Sequence, residues 1–126
     1  MKRYLYDGKH IRELDMYTGK QHYLMNGMRV EITDEPTGEN KVHNLGIPTQ
    51  VLLAFIQSYP AFTIFECSLL LEGNLRSSHI LQWNGKHTLQ DETHGETCNI
   101  AIKDFYPNEG FWVITSITTQ EDMYAN

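Results

Sequence analysis

The sequence predicts an α+β fold: an antiparallel, β-hairpin-rich sheet, curved or barrel-like, packed around one buried helix near residues 48–58. Three observations carry this. The dipeptides Asp7-Gly8, Asn26-Gly27 and Asn84-Gly85 each stand between short alternating segments, and a tight hairpin turn favours residues that tolerate positive φ. The stretch before Pro60 has a helical period instead. That helix interrupts the hairpins once rather than alternating with strands, which disfavours a parallel α/β arrangement.

Residues 3–14 form the first expected hairpin around Asp7-Gly8, and residues 20–33 the second around Asn26-Gly27. Residues 34–44 (DEPTGENKVHN) are polar and rich in turn formers, so they read as a loop leading into the helix. In the helix, Pro48 suits the first position, where a missing N–H costs nothing. Val51, Leu52, Phe55, Ile56 and Tyr59 project to one side and Gln50, Ala54 and Gln57 to the other, while Leu53 widens the apolar arc. Tyr59 precedes Pro60 and is pushed out of the α region, so the helix should stop near Ser58.

From Thr63 the period becomes two: Phe65, Cys67, Leu69 and Leu71 share the more apolar face. A three-residue loop at Glu72-Gly73-Asn74 sets Leu71 against Leu75, Leu69 against Ser77, Cys67 against His79 and Phe65 against Leu81. A two-residue loop would turn Arg76, Ser78 and Gln82 toward the core, because a one-residue slip exchanges the faces. Next comes a hairpin at Asn84-Gly85 with Trp83 opposite Lys86, which sets Ile80 opposite Leu89 and leaves an apolar pair on the outer face. Residues 90–97 (QDETHGET) read as an acidic loop. The last expected hairpin joins 98–105 to 111–118 around Tyr106–Gly110 and has two apolar faces, as a ribbon buried on both sides requires.

The 126 residues suffice for one core but not two, so one domain over 1–126 is expected. Apolar residues make up 40% of the chain, and aromatics are spread along it, which argues against disorder. The first ten residues lack the apolar core of a signal peptide, and no apolar run is long enough to span a membrane. Two cysteines make no disulfide framework, so reduced thiols in the cytoplasm are expected.

Net charge is −6, all of it from the C-terminal two-thirds. Residues 1–41 carry seven basic and seven acidic side chains, whereas residues 42–126 carry three basic (Arg76, Lys86, Lys103) against nine acidic. Such a surface repels phosphate backbones and suits a protein partner that is basic. The N-terminal hairpin, with Tyr4, Tyr6, Lys9, His10 and Arg12, is the most mixed aromatic and basic segment.

Four constellations are candidates for chemistry. Cys67 and His79, if adjacent, pair a thiol with a base and would support a thiol-dependent hydrolase. His87, His94 and Cys98 are zinc-ligand types, but H-x6-H-x3-C lacks the paired short spacings of closed zinc sites, so no metal or other cofactor is expected. Asp91, Glu92, Glu96 and Glu109 are acidic positions for contacting a partner. Carboxylate groups at Glu31/Asp34/Glu35/Glu39, Asp91/Glu92/Glu96, Asp104/Glu109 and Glu121/Asp122 would serve hydrolysis only if they converged in a cleft. No phosphate loop, G-x-S-x-G or H-E-x-x-H is present. The chain therefore reads as a small acidic cytosolic interaction protein of inhibitor, immunity or phage-accessory type that binds a macromolecule without catalysis. A small-ligand pocket between sheet and helix is the alternative, and the Cys67/His79 hydrolase the third reading.

Overall fold

The computed structural model describes residues 1–32, 46–105 and 110–120. Strands β1 (Lys2–Tyr6), β2 (Ile11–Asp15), β3 (Gln21–Met25) and β4 (Met28–Glu31) form a four-stranded antiparallel meander. Strand β5 (Ile47–Pro48) runs directly into helix α1 (Thr49–Gln57). Strands β6 (Ile64–Leu71), β7 (Asn74–Trp83), β8 (Thr88–Thr93), β9 (Glu96–Ala101) and β10 (Phe111–Thr118) follow, and with β5 they make a six-stranded sheet ordered β5-β10-β6-β7-β8-β9. The fold is thus mostly antiparallel sheet with one helix. Neither sheet closes into a barrel: β1 and β4 end the small sheet, β5 and β9 the large one. No helix among the described residues is long and apolar enough to cross a membrane.

The helix follows its apolar pattern. Leu52, Leu53, Phe55 and Ile56 are buried, Ala54 and Gln57 are exposed, and Tyr59 is buried just past the end. Pro48 is the cap residue rather than the first helical one, with extended φ/ψ of −60° and 147°. Ser58 closes the helix through its backbone N–H to the Phe55 carbonyl. One contiguous core joins Tyr4, Tyr6, Ile11 and Leu24 of the small sheet to α1 and to Phe65, Leu81, Leu89, Trp112 and Ile114 of the large one. Phe55, Tyr59 and Phe65 meet edge to face, with centroids 5.1–6.1 Å apart. The Trp112 indole N–H donates to Thr49 Oγ1 at 2.9 Å and ties β10 to the start of the helix. Leu52 and Ile56 of the helix and Phe65 and Leu81 of the large sheet are fully buried members of this core. Tyr4 and Tyr6 belong to this core, so they offer no exposed stacking surface.

The hairpins show which turn signals set the register. Asn26 (φ 52°) and Gly27 (φ 75°) make the expected two-residue turn, with Met25 opposite Met28. A Cβ on Gly27 would lie 2.8 Å from the Ser58 carbonyl, so this turn is packed onto the helix end. The first turn is displaced by one residue: Asp7 and His10 close it, because the Asp7 carboxylate accepts the backbone N–H groups of Lys9 and His10.

Between β6 and β7 the predicted pairs Leu69–Ser77, Cys67–His79 and Phe65–Leu81 are all present, but the loop is shorter than predicted. Leu71 faces Asn74 across a two-residue Glu72-Gly73 turn, and Leu70 faces Leu75. A β-bulge at Arg76 then supplies the extra residue that returns Ser77, His79 and Leu81 to the core face.

Three expectations are corrected. Trp83 faces Leu89, not Lys86, because the Asn84 side chain accepts the N–H groups of Lys86 and Thr88 and lengthens the turn. This moves Leu89 onto the core face and leaves Ile80 opposite Glu92. Residues 90–97 are not a loop: His94 (φ 54°) and Gly95 (φ 79°) form a two-residue turn between β8 and β9. Finally, 98–105 does not pair with 111–118. The strand β9 is an edge paired with β8, whereas β10 inserts between β5 and β6. Phe105 and Trp112 nevertheless stack, with centroids 5.4 Å apart, so burial of the two aromatics is met by side-chain packing rather than by a ladder. Tyr106–Glu109 and the 34–44 loop lie outside the described residues.

Candidate functional site

Alternation along β6, β7 and β8 divides the predicted residues between two faces of the large sheet. On the core face, Cys67 and His79 are cross-strand neighbours, as the register required, and both are buried. Their chemistry differs from the prediction. Burial pushes the Cys67 thiol well above its ordinary value, and the Glu66 and Asp91 carboxylates push in the same direction. Both imidazole nitrogens are engaged elsewhere. His79 Nδ1 lies 2.8 and 3.0 Å from the Asp91 carboxylate oxygens and 2.9 Å from Thr93 Oγ1, and Nε2 lies 2.5 Å from Ser77 Oγ. A protonated, buried thiol without this base is not an activated nucleophile.

Asp91, read from the sequence as a partner contact, is instead 2% exposed and is held by His79 and by the Thr93 hydroxyl, which donates to Oδ1 at 2.7 Å. The revised β8 register explains this, since Asp91 faces Leu81 and shares its core side. Ser77 and Thr93 are the members that sequence reasoning missed as a set. Ser-x-His on a strand places both residues on one face, a signal available in advance; the Asp91 and Thr93 contributions depended on the β8 register.

The metal candidates are dispersed. His87 ends the turn before β8 and His94 begins the turn after it, so an extended strand of about 3.3 Å per residue holds them roughly 23 Å apart. Cys98 faces Asp91 from the exposed middle of β9. Among the described residues no group of three or more His, Cys, Asp or Glu is placed to hold a metal ion.

The outer face of the same strands carries a groove of about 320 Å³. Glu66, Ser68, Ser78, Ile80, Glu92 and His94 line it, with Thr115 at one side. Glu66, Ile80 and Glu92 occupy one row across β6, β7 and β8, so the two carboxylates flank the half-exposed isoleucine. Two strand spacings separate the carboxylate-bearing positions by about 9.5 Å. Neither glutamate takes part in an ion pair among the described residues. Thr115, the extra residue of a bulge in β10, donates its hydroxyl to the Glu66 carbonyl at 3.0 Å and braces this edge of the groove. A second row, Phe111, Leu70 and Leu75, leaves apolar side chains exposed nearby: Phe111 is 52% and Leu75 65% accessible. Of the predicted acidic contacts, Glu92 therefore borders the groove, Glu96 lies exposed at the start of β9, and Glu109 is outside the described residues.

Compared with known proteins, the chain matches no family model, no curated protein and no solved structure.

Proposed function

We propose that the protein acts by binding a basic segment of a partner protein across the outer face of the six-stranded sheet. The observation that carries this reading is the row Glu66–Ile80–Glu92: two carboxylates outside any ion pair among the described residues, on either side of an accessible aliphatic side chain. Lysine and arginine side chains have the matching form, an apolar stem that covers Ile80 and a charged head that reaches a carboxylate. Phe111, Leu70 and Leu75 extend the contact with apolar area, as interfaces use aromatic and aliphatic anchors beside charge. The excess of acidic residues over 42–126 speeds encounter with a basic partner. An inhibitor of immunity or phage-accessory type is one role such a surface serves.

The test is fluorescence anisotropy with a labelled Lys/Arg-rich peptide. Wild-type protein should bind it in a salt-dependent manner, and the Glu66→Lys/Glu92→Lys double variant should bind at least tenfold more weakly. Glu31→Lys, a charge reversal on the far edge strand β4, should bind within about twofold of wild type. Equal loss in both variants, or in neither, would contradict the reading.

A further inference from the structure

We propose that Ser77 is an activated nucleophile for acyl transfer, with His79 as its general base and Asp91 as the residue that orients His79. The contacts lie on the core face of the sheet and are independent of the groove. Ser77 and His79 are two positions apart on β7 and so point the same way, and β8 brings Asp91 beside the imidazole. Ser77 is half-buried and is the last core-side residue of β7 before the bulge at Arg76, whereas the His79 side chain is enclosed. The serine is thus the member of the set that faces the rim.

The hydrogen-bond pattern selects a tautomer. Both Asp91 oxygens approach Nδ1, and a carboxylate accepts but does not donate, so Nδ1 carries the proton. In neutral histidine Nε2 is then the acceptor, and Ser77 Oγ–H is the donor 2.5 Å away. Thr93 fixes the carboxylate by donating to Oδ1, and the indole of Trp112, 5.1 Å from the imidazole centroid, packs edge-on against the ring. Nucleophile to base and base to orienting acid are the two side-chain contacts of the Ser-His-Asp arrangement.

The step is redox-neutral. Ser77 Oγ bonds to the acyl carbon of an ester while its proton passes to Nε2. Collapse of the tetrahedral species breaks the bond to the leaving oxygen, which takes that proton. Water then attacks the acyl-serine, gives a proton to Nε2, and releases the carboxylic acid as Ser77 regains its own.

A fluorophosphonate probe tests this, because an activated serine displaces its fluoride and keeps the phosphonyl group. Intact mass and peptide mapping should find one adduct, on Ser77, formed at least tenfold faster than on the urea-unfolded chain. Ser77→Ala should abolish it. Asp91→Asn, verified as folded by circular dichroism, should slow labelling tenfold or more and move the His79 imidazole ¹⁵N signals toward the opposite tautomer; if this variant does not fold, Thr93→Val serves, with labelling slowed at least threefold. No adduct on the folded wild type, an adduct on Ser78 instead, or wild-type labelling rates in the folded Asp91 or Thr93 variant would overturn the assignment.

Discussion

At the scale of single residues, Asp91, His79, Thr49, Thr63 and Glu13 are buried polar groups with specific partners, whereas the Gln21 amide oxygen and the Trp83 indole N–H have none among the described residues. The carboxylate of Asp91 is nearly enclosed and is satisfied by His79 and Thr93, so removing it strands an imidazole in the core. Breaking a buried pair from one side costs about 3–5 kcal/mol, whereas replacing both partners with well-packed apolar groups is often close to neutral. Urea unfolding should therefore show Asp91→Ala destabilised by about that amount and His79→Leu/Asp91→Leu by much less. The titration of Cys67 and Tyr59 gives a second prediction. Burial raises both above their ordinary values of 9.0 and 10.0, and for Tyr59 the neighbouring Tyr4 and Glu13 add to the rise while Arg29 opposes it. Above pH 9.0 the unfolded chain releases protons that the folded chain retains, so stability is intact below that pH and falls as pH rises beyond it. Thermal melts from pH 7 to 10.5 should record the fall, and Cys67→Ala should reduce its slope. In the native protein at pH 8, a thiol reagent should modify exposed Cys98 and leave Cys67 untouched. The Cys67–His79 adjacency and the shared face of Ser77 and His79 were legible from alternation; that Asp91 and Thr93 meet His79 required the neighbouring strand's register.

At the scale of elements, local turn chemistry decided where the sequence could be read. Asn26-Gly27 has both residues at positive φ, and its hairpin forms as predicted. Asp7 and Asn84 instead use their side chains to accept backbone N–H groups further along, which moves one turn by a residue and lengthens the other. A non-glycine residue in the left-handed region is uncommon in general, so His94-Gly95 reads as part of a polar loop, although it turns β8 into β9. The β6–β7 pairing was legible for a different reason: the apolar face of β6 demanded Ser77, His79 and Leu81 opposite it, and the Arg76 bulge reconciles that demand with a tighter turn. This makes the bulge dispensable. Deleting Arg76 should leave a regular ladder with Ser77 still facing Leu69 and shift the melting temperature by only a few degrees. Deleting Ser78 also removes one residue but turns Arg76 into the core, and it should lower the melting temperature far more. Two melts and the far-UV spectra of both variants decide the point.

At the scale of the whole molecule, two open sheets and one helix share a core, and the large sheet keeps its other face toward solvent. The amphipathic helix and the antiparallel ladders follow from periodicity, so the fold class was legible. The order of strands was not, because β10 crosses to lie between β5 and β6, a long-range choice set by packing Trp112 against Thr49, Phe105 and His79. The groove was hidden for the same reason: Glu66 and Glu92 lie far apart in sequence and meet only through the β6–β7–β8 register. Partner binding across this face is the central claim, and an amide chemical-shift titration with the Lys/Arg-rich peptide tests it most directly. The largest shifts should fall on Glu66, Ser68, Ser78, Ile80 and Glu92 and vanish in the Glu66→Lys/Glu92→Lys variant. Shifts concentrated on β1–β4 or along the β9 edge, or none at saturating peptide, would contradict it.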